Sequence, residues 1–94
     1  MGAFGDTRMA ASKRSRLELY ADVLNTLRAH AGGCRITRLS YGANMPLDRM
    51  KKVVDELISH GLMTMRPDEP GIYAITVRGV EFLDAFKKLI VFLE

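Results

Sequence analysis

The chain has 94 residues, 48% hydrophobic and 27% charged, with a formal net charge of +3. That length allows one small domain with a limited core, and the balance of apolar to charged residues excludes an intrinsically disordered chain. The single cysteine, Cys34, excludes an intrachain disulfide and fits a reducing compartment, and the longest apolar run, Leu89 to Leu93, is too short to span a bilayer.

The charge is unevenly placed. Residues 1–16 carry Arg8, Lys13, Arg14 and Arg16 against Asp6, a local +3, while 17–45 sum to +1, 46–60 to zero and 61–94 to −1. A basic N-terminal arm suits a polyanionic partner, and a solvated tail explains the same charges equally well. The opening segment has no apolar core, so no secretory signal is expected, and Asp6 stands where a myristoylation signal carries Ser or Thr. The chain reads as a cytoplasmic protein whose residues 1–14 form a basic, flexible tail.

Ordered structure is expected from Ser15, an N-cap residue with Glu18 at capping-box spacing. Leu17, Tyr20, Ala21, Leu24, Leu27 and Ala31 recur at helical spacing until Gly32–Gly33, which predicts a first helix. Leu19 and Val23 fall off that stripe, on a flank that something else would cover. The segment from Cys34 to Asn44 is short and amphipathic, closed by Gly42 and Asn44. Pro46 then suits a first helical position, and Asp48 complements the helix dipole. Leu47, Met50, Val54, Leu57 and Ile58 line one face of this helix, which Gly61 stops. A short helix, a turn of about four residues and a longer helix make a helix-turn-helix pattern.

Two short apolar runs follow, Leu62–Arg66 and Ile72–Thr76, either side of the turn RPDEPG. An isolated hairpin is marginal in water, so this one must lean on a core through Leu62, Ile72 and Ile75. Three helices followed by a hairpin is the order of a winged helix. Thr76 is placed to cap a last helix bearing the stripe Phe82, Phe86, Leu89, Ile90 and Leu93, part of it at 4-3-4 spacing. The fold class is therefore mainly α with a small β-hairpin wing: a winged helix-turn-helix over 15–76 and a dimerisation helix over 77–94. Leu19, Val23, Phe82, Phe86, Leu89, Ile90 and Leu93 are the candidate dimer interface, with packing of the last helix on its own domain as the alternative.

The blocks KRSRLELYADVL, TRLSYGANM, ELISHGLM and YAITVRGVEFLD resemble those of small archaeal winged-helix DNA-binding proteins, over about residues 13–88. That group includes ten-kilodalton chromatin-associated proteins, which dimerise through a C-terminal antiparallel coiled coil, and related regulators. The resemblance implies a homodimer that binds double-stranded DNA. Two departures stand out: the last helix is shorter than the chromatin-type arm, and Met45–Pro46 stands where the family often has Leu-Ser.

In a helix-turn-helix the start of the second helix enters the major groove. The DNA-binding candidates are accordingly Arg35, Arg38, Ser40, Tyr41, Leu47, Arg49 and Lys52, with Lys13 and Arg14 from the tail and Arg66 from the wing. Arg49 suits a guanine edge or a phosphate, and Lys52 a phosphate. A solvated face on which Arg49, Lys51 and Lys52 pair with Asp48, Asp55 and Glu56 is the competing expectation. Asp68 and Glu69 at the wing tip would repel phosphate, so the wing reads as mainly structural.

Other chemistry is thin. His30 and Cys34 are separated by a helix-breaking Gly pair and lack further ligands for a metal. No phosphate-cradling loop or nucleophile-and-base set stands out, so no enzyme activity, cofactor or small-molecule ligand is expected. Two functions compete: a DNA-binding regulator or chromatin protein, and a winged helix serving as a protein-interaction module in a larger complex.

Overall fold

The computed structural model describes residues 15–93, so Lys13, Arg14 and the expected tail lie outside the described residues. In chain order the elements are α1 (Arg16–Arg28), β1 (Cys34–Arg35), α2 (Ile36–Gly42), α3 (Leu47–Ser59), β2 (Met63–Met65), β3 (Ile72–Ile75) and α4 (Val77–Leu93). Mainly helical, with a small antiparallel sheet, this is the winged-helix order.

Local chemistry sets the helix ends. Ser15 Oγ accepts from the Glu18 N–H at 3.1 Å, and the Glu18 carboxylate accepts from the Ser15 N–H at 3.0 Å. This capping box satisfies two amide donors that helix geometry leaves unpaired. At the end of α2, Asn44 takes φ 53°, with the Met45 N–H donating to Ser40 O and the Asn44 N–H to Tyr41 O. Gly61, at φ 75°, closes α3 the same way, through Leu62 N–H to Leu57 O and Gly61 N–H to Ile58 O. Both are Schellman ends, and an Asn or Gly is what a left-handed residue there favours. Pro46 takes the N-cap position of α3, one residue before the helical position expected for it.

The core runs through α1. Leu24, Leu39, Met50 and Leu57 are fully enclosed, with Leu27 and Met63 nearly so. Each such side chain stabilises the fold by about 1.5–3 kcal/mol relative to exposure. Helix α1 packs against α2, β3 and α4 together, so it is buried on more than one side. That geometry corrects two expectations. Val23, 1% exposed, and Leu19 belong to the chain's own core and are not an outer flank for a second chain to cover. Leu17 is half-exposed, and Ala31, beyond the helix end at Arg28, is exposed.

The hairpin is not alone. β3 is the central strand of a three-stranded antiparallel sheet, in the order β1-β3-β2. Cys34 pairs with Tyr73 and Arg35 with Ile72 on one edge, while Met63, Thr64 and Met65 pair with Ile75, Ala74 and Tyr73 on the other. The added two-residue strand and the buried side chains of Leu62, Met63 and Ile72 give the hairpin the support it needs. Burial pushes the Cys34 thiol up, and the positive charge of Arg38 offsets this only in part.

The first half of α4 belongs to the same body. Leu83 is buried, while Phe82 and Phe86 pack against the core as a ring pair with centroids 6.3 Å apart. Those two phenylalanines, expected at a dimer seam, are thus partly occupied at home. Beyond them the helix runs out exposed, from Leu89 (53%) to Leu93 (79%).

Backbone meets backbone where α3 ends and α4 begins. Thr76 Oγ1 donates to Gly61 O at 2.7 Å and accepts from the Gly79 N–H at 3.0 Å, so one hydroxyl caps α4 and ties it to the end of α3. The approach is close enough that a Cβ at position 79 would lie 2.2 Å from Leu62 O and 2.6 Å from Ile75 Cγ1. Alanine at this position gains about 1 kcal/mol of helix propensity. Overlap with a backbone oxygen that cannot move aside costs about 1–3 kcal/mol or more. The 2.2 Å approach to a backbone oxygen places the cost at the upper end of that range, so Gly79→Ala is expected to lower the urea midpoint, with a net loss of about 2 kcal/mol. A midpoint at or above that of the unaltered protein would contradict the packing described.

Candidate nucleic-acid interface

Helix α3 is held from behind. Tyr20 on α1 donates its hydroxyl to Glu56 Oε1 at 2.6 Å, and Arg16 pairs with the same oxygen at 3.2 Å. Burial, then the Glu56 carboxylate, pushes the Tyr20 phenol up. Glu56 is thereby engaged with α1 and makes no ion pair with Lys52, the neighbour a solvated-face reading would give it. Its partner at this site lies 36 residues away in sequence.

The outer surface of α3 and the adjoining α2 are open. Arg35, Arg38, Arg49, Lys51 and Lys52 are all exposed, and among the described residues none of them makes an ion pair. The cations of the described ion pairs are Arg16, Arg28 and Arg66, which tie α1 to α3, α1 to α4 and the wing to itself. Thr37, Arg38 and Tyr41 share one side of α2 and line a shallow concavity of about 430 Å³. A second concavity, of about 660 Å³, is lined by Ser40, Tyr41, Asn44, Met45 and Pro46 at the turn before α3. Tyr41 stands between the two, 90% exposed. Leu47 opens α3 at 41% exposure and is followed by exposed Asp48 and Arg49.

The structure therefore gathers Arg38, Tyr41, Leu47, Arg49 and Lys52 on the two consecutive helices. Arg35 stands apart from them, its Nη1 close over Gly71 at the end of the wing turn. Ser40 is different: its hydroxyl donates to the Met45 carbonyl and so shapes the turn instead of facing a ligand. Thr37 and Lys51 were missed by sequence reasoning. For Thr37 the signal was there, since it precedes Tyr41 by four residues and shares its helix face.

Arg66 is the clearest correction. Its Nε and Nη2 donate to the two Asp68 carboxylate oxygens at 3.1 and 2.7 Å, and its Nη1 donates to Gly32 O at 2.8 Å. The guanidinium is a strut between the wing and the α1–β1 loop, not a free phosphate ligand. It holds the Asp68 carboxyl below the usual carboxylate range. With Glu69 beside it, the wing tip presents acid to solvent.

Among the described residues no helix is long and apolar enough to cross a membrane. There is no significant match among curated proteins. Two solved structures of NcsB1, an O-methyltransferase from neocarzinostatin biosynthesis, share the fold at a TM-score of 0.56 and 20% identity. One is in complex with S-adenosyl-L-homocysteine, the other with S-adenosylmethionine and 2-hydroxy-5-methyl naphthoic acid. The match takes in 73% of this chain but only 22% and 21% of theirs, so this chain spans about a fifth of the enzyme's length. At that identity the likeness is one of fold. The sequence itself matches the winged helix-turn-helix family over residues 13–93, nearly its whole length, and the chain belongs to that family.

Proposed function

We propose that this protein binds double-stranded DNA as a homodimer, acts as a transcriptional regulator or chromatin-type protein, and carries out no chemistry of its own. The observation that carries the reading is the open face of α2 and α3, where Arg38, Arg49, Lys51 and Lys52 make no ion pair among the described residues while Glu56 is engaged by Tyr20 and Arg16 of α1. A cation released from internal pairing is available to displace counterions from phosphate. Helix α3 sits in the major groove, Arg38 and Lys52 position the protein on phosphates, and Arg49 reaches a base edge. The wing, with Arg66 braced and Asp68 exposed, stays off the backbone.

The dimer reading rests on the end of α4. Leu89, Ile90, Val91, Phe92 and Leu93 are exposed in succession, an apolar surface on more than one side of the helix. Glu81 and Asp84 occupy its first half, Lys87 and Lys88 its second. An antiparallel second copy would set opposite charges beside each other while covering the apolar end. A protein-interaction module is the second reading, favoured by the acidic wing tip and the balanced charge of α3, and it would use the same apolar end on another partner.

Changing Arg38 and Lys52 together to Ala is expected to weaken duplex binding about tenfold or more and to lower the salt slope by about two. The melting temperature should hardly move, because both side chains are exposed. Unaltered affinity in a folded variant would remove the groove assignment. Replacing Leu89 and Leu93 with Glu should give a monomer in light scattering with the fold retained, since neither side chain is part of the core. Unaltered protein that is already monomeric at high micromolar concentration would overturn the dimer.

A further inference from the structure

The entrance to α3 is apolar where a groove-reading helix meets the bases. Leu47 is its first residue and is 41% exposed. Pro46 precedes it, exposed, and Met45 is half-buried. Tyr41, 90% exposed, shares the concavity at the turn with both. The core does not need Leu47, whose neighbours Met50, Val53, Val54 and Leu57 provide the inward face of the helix. Leu47 carries no hydrogen-bonding group, so it cannot read a base through donors or acceptors. Arg38 on α2 and Arg49 outnumber the one exposed acid in the first turn, Asp48, and fit the surface to a polyanion that also offers an apolar feature.

In the major groove that feature is the 5-methyl group of thymine. Resting on the DNA-binding reading above, we propose that Leu47, with Tyr41 beside the turn, packs against a thymine methyl, and that this contact gives the protein a preference for thymine over cytosine at that position. Arg49, two residues further along and on the other side of the helix start, takes a neighbouring base edge or phosphate. The contact adds selectivity to a face whose affinity is mainly electrostatic.

The test compares an alternating adenine–thymine duplex with the same duplex made with uracil, which lacks only the methyl groups. At fixed salt the unaltered protein should bind the thymine duplex about fourfold more tightly per methyl contacted. Leu47→Ala should shrink that ratio towards one, whereas Arg49→Ala should bind both more weakly and keep the ratio. Equal affinity of the unaltered protein for the two duplexes overturns the proposal while leaving DNA binding in place, and that comparison depends on no variant. A Leu47→Ala protein that keeps the full ratio also overturns it. Failure to bind either duplex at low salt would remove the DNA-binding reading itself, and the proposal with it.

Discussion

The junction between the end of α3 and the start of α4 fixes what the rest of the molecule can do. Three consecutive carbonyls, those of His60, Gly61 and Leu62, accept from Arg78 Nε at 3.0 Å, Thr76 Oγ1 at 2.7 Å and Thr76 N–H at 3.2 Å. Gly79 then lets the helix start press against the same strand of chain without a Cβ in the way. The carbonyls of α3's last turn are met by the N–H groups of His60, Gly61 and Leu62, and the carbonyls of those same three residues are met from Thr76 and Arg78. Since β2 begins at Met63, the wing, the recognition helix and the final helix leave one point in set directions.

From that point the division of charge becomes intelligible. Some acids are engaged inside the fold: Glu56 on α1, Asp68 on the wing and Asp84 opposite Arg28 at 3.8 Å. Asp48 and Asp55 stay exposed on α3 with no ion pair among the described residues. Exposed ion pairs of this kind add little stability, typically about 0–1 kcal/mol each. Their larger consequence is positional. Glu56 helps fix α3 against α1, and Arg66 stiffens the wing by spending its donors on Asp68 and the Gly32 carbonyl. What remains outward on α2 and α3 is a set of cations, with Asp48 and Asp55 among them, around an apolar helix start.

Much of this was legible in the residues. Ser15 with Glu18, Asn44 and Gly61 announced helix ends through local chemistry, and α3 announced its inward face by spacing. Other features depend on distant partners. β1 is two residues long, too short to show a period, and exists because β3 offers an edge to Cys34 and Arg35. The stripe read for α1 missed Leu19 and Val23 because that helix is enclosed by α2, β3 and α4, and a single amphipathic face is the wrong expectation for such a helix. Arg66 looked free because Gly32 lies 34 residues away, and no local pattern joins them. The candidate face was therefore legible as a list of basic residues, but which of them are free required the fold.

The central claim is that the face of α2 and the start of α3 meets duplex DNA while the wing tip does not. Amide chemical-shift mapping during titration with a short duplex at low salt tests this most directly. The account predicts perturbations clustered over Arg35 to Lys52, with the amides of Asp68, Glu69 and Gly71 little changed. Shifts concentrated at the wing tip, or confined to the end of α4, would contradict it.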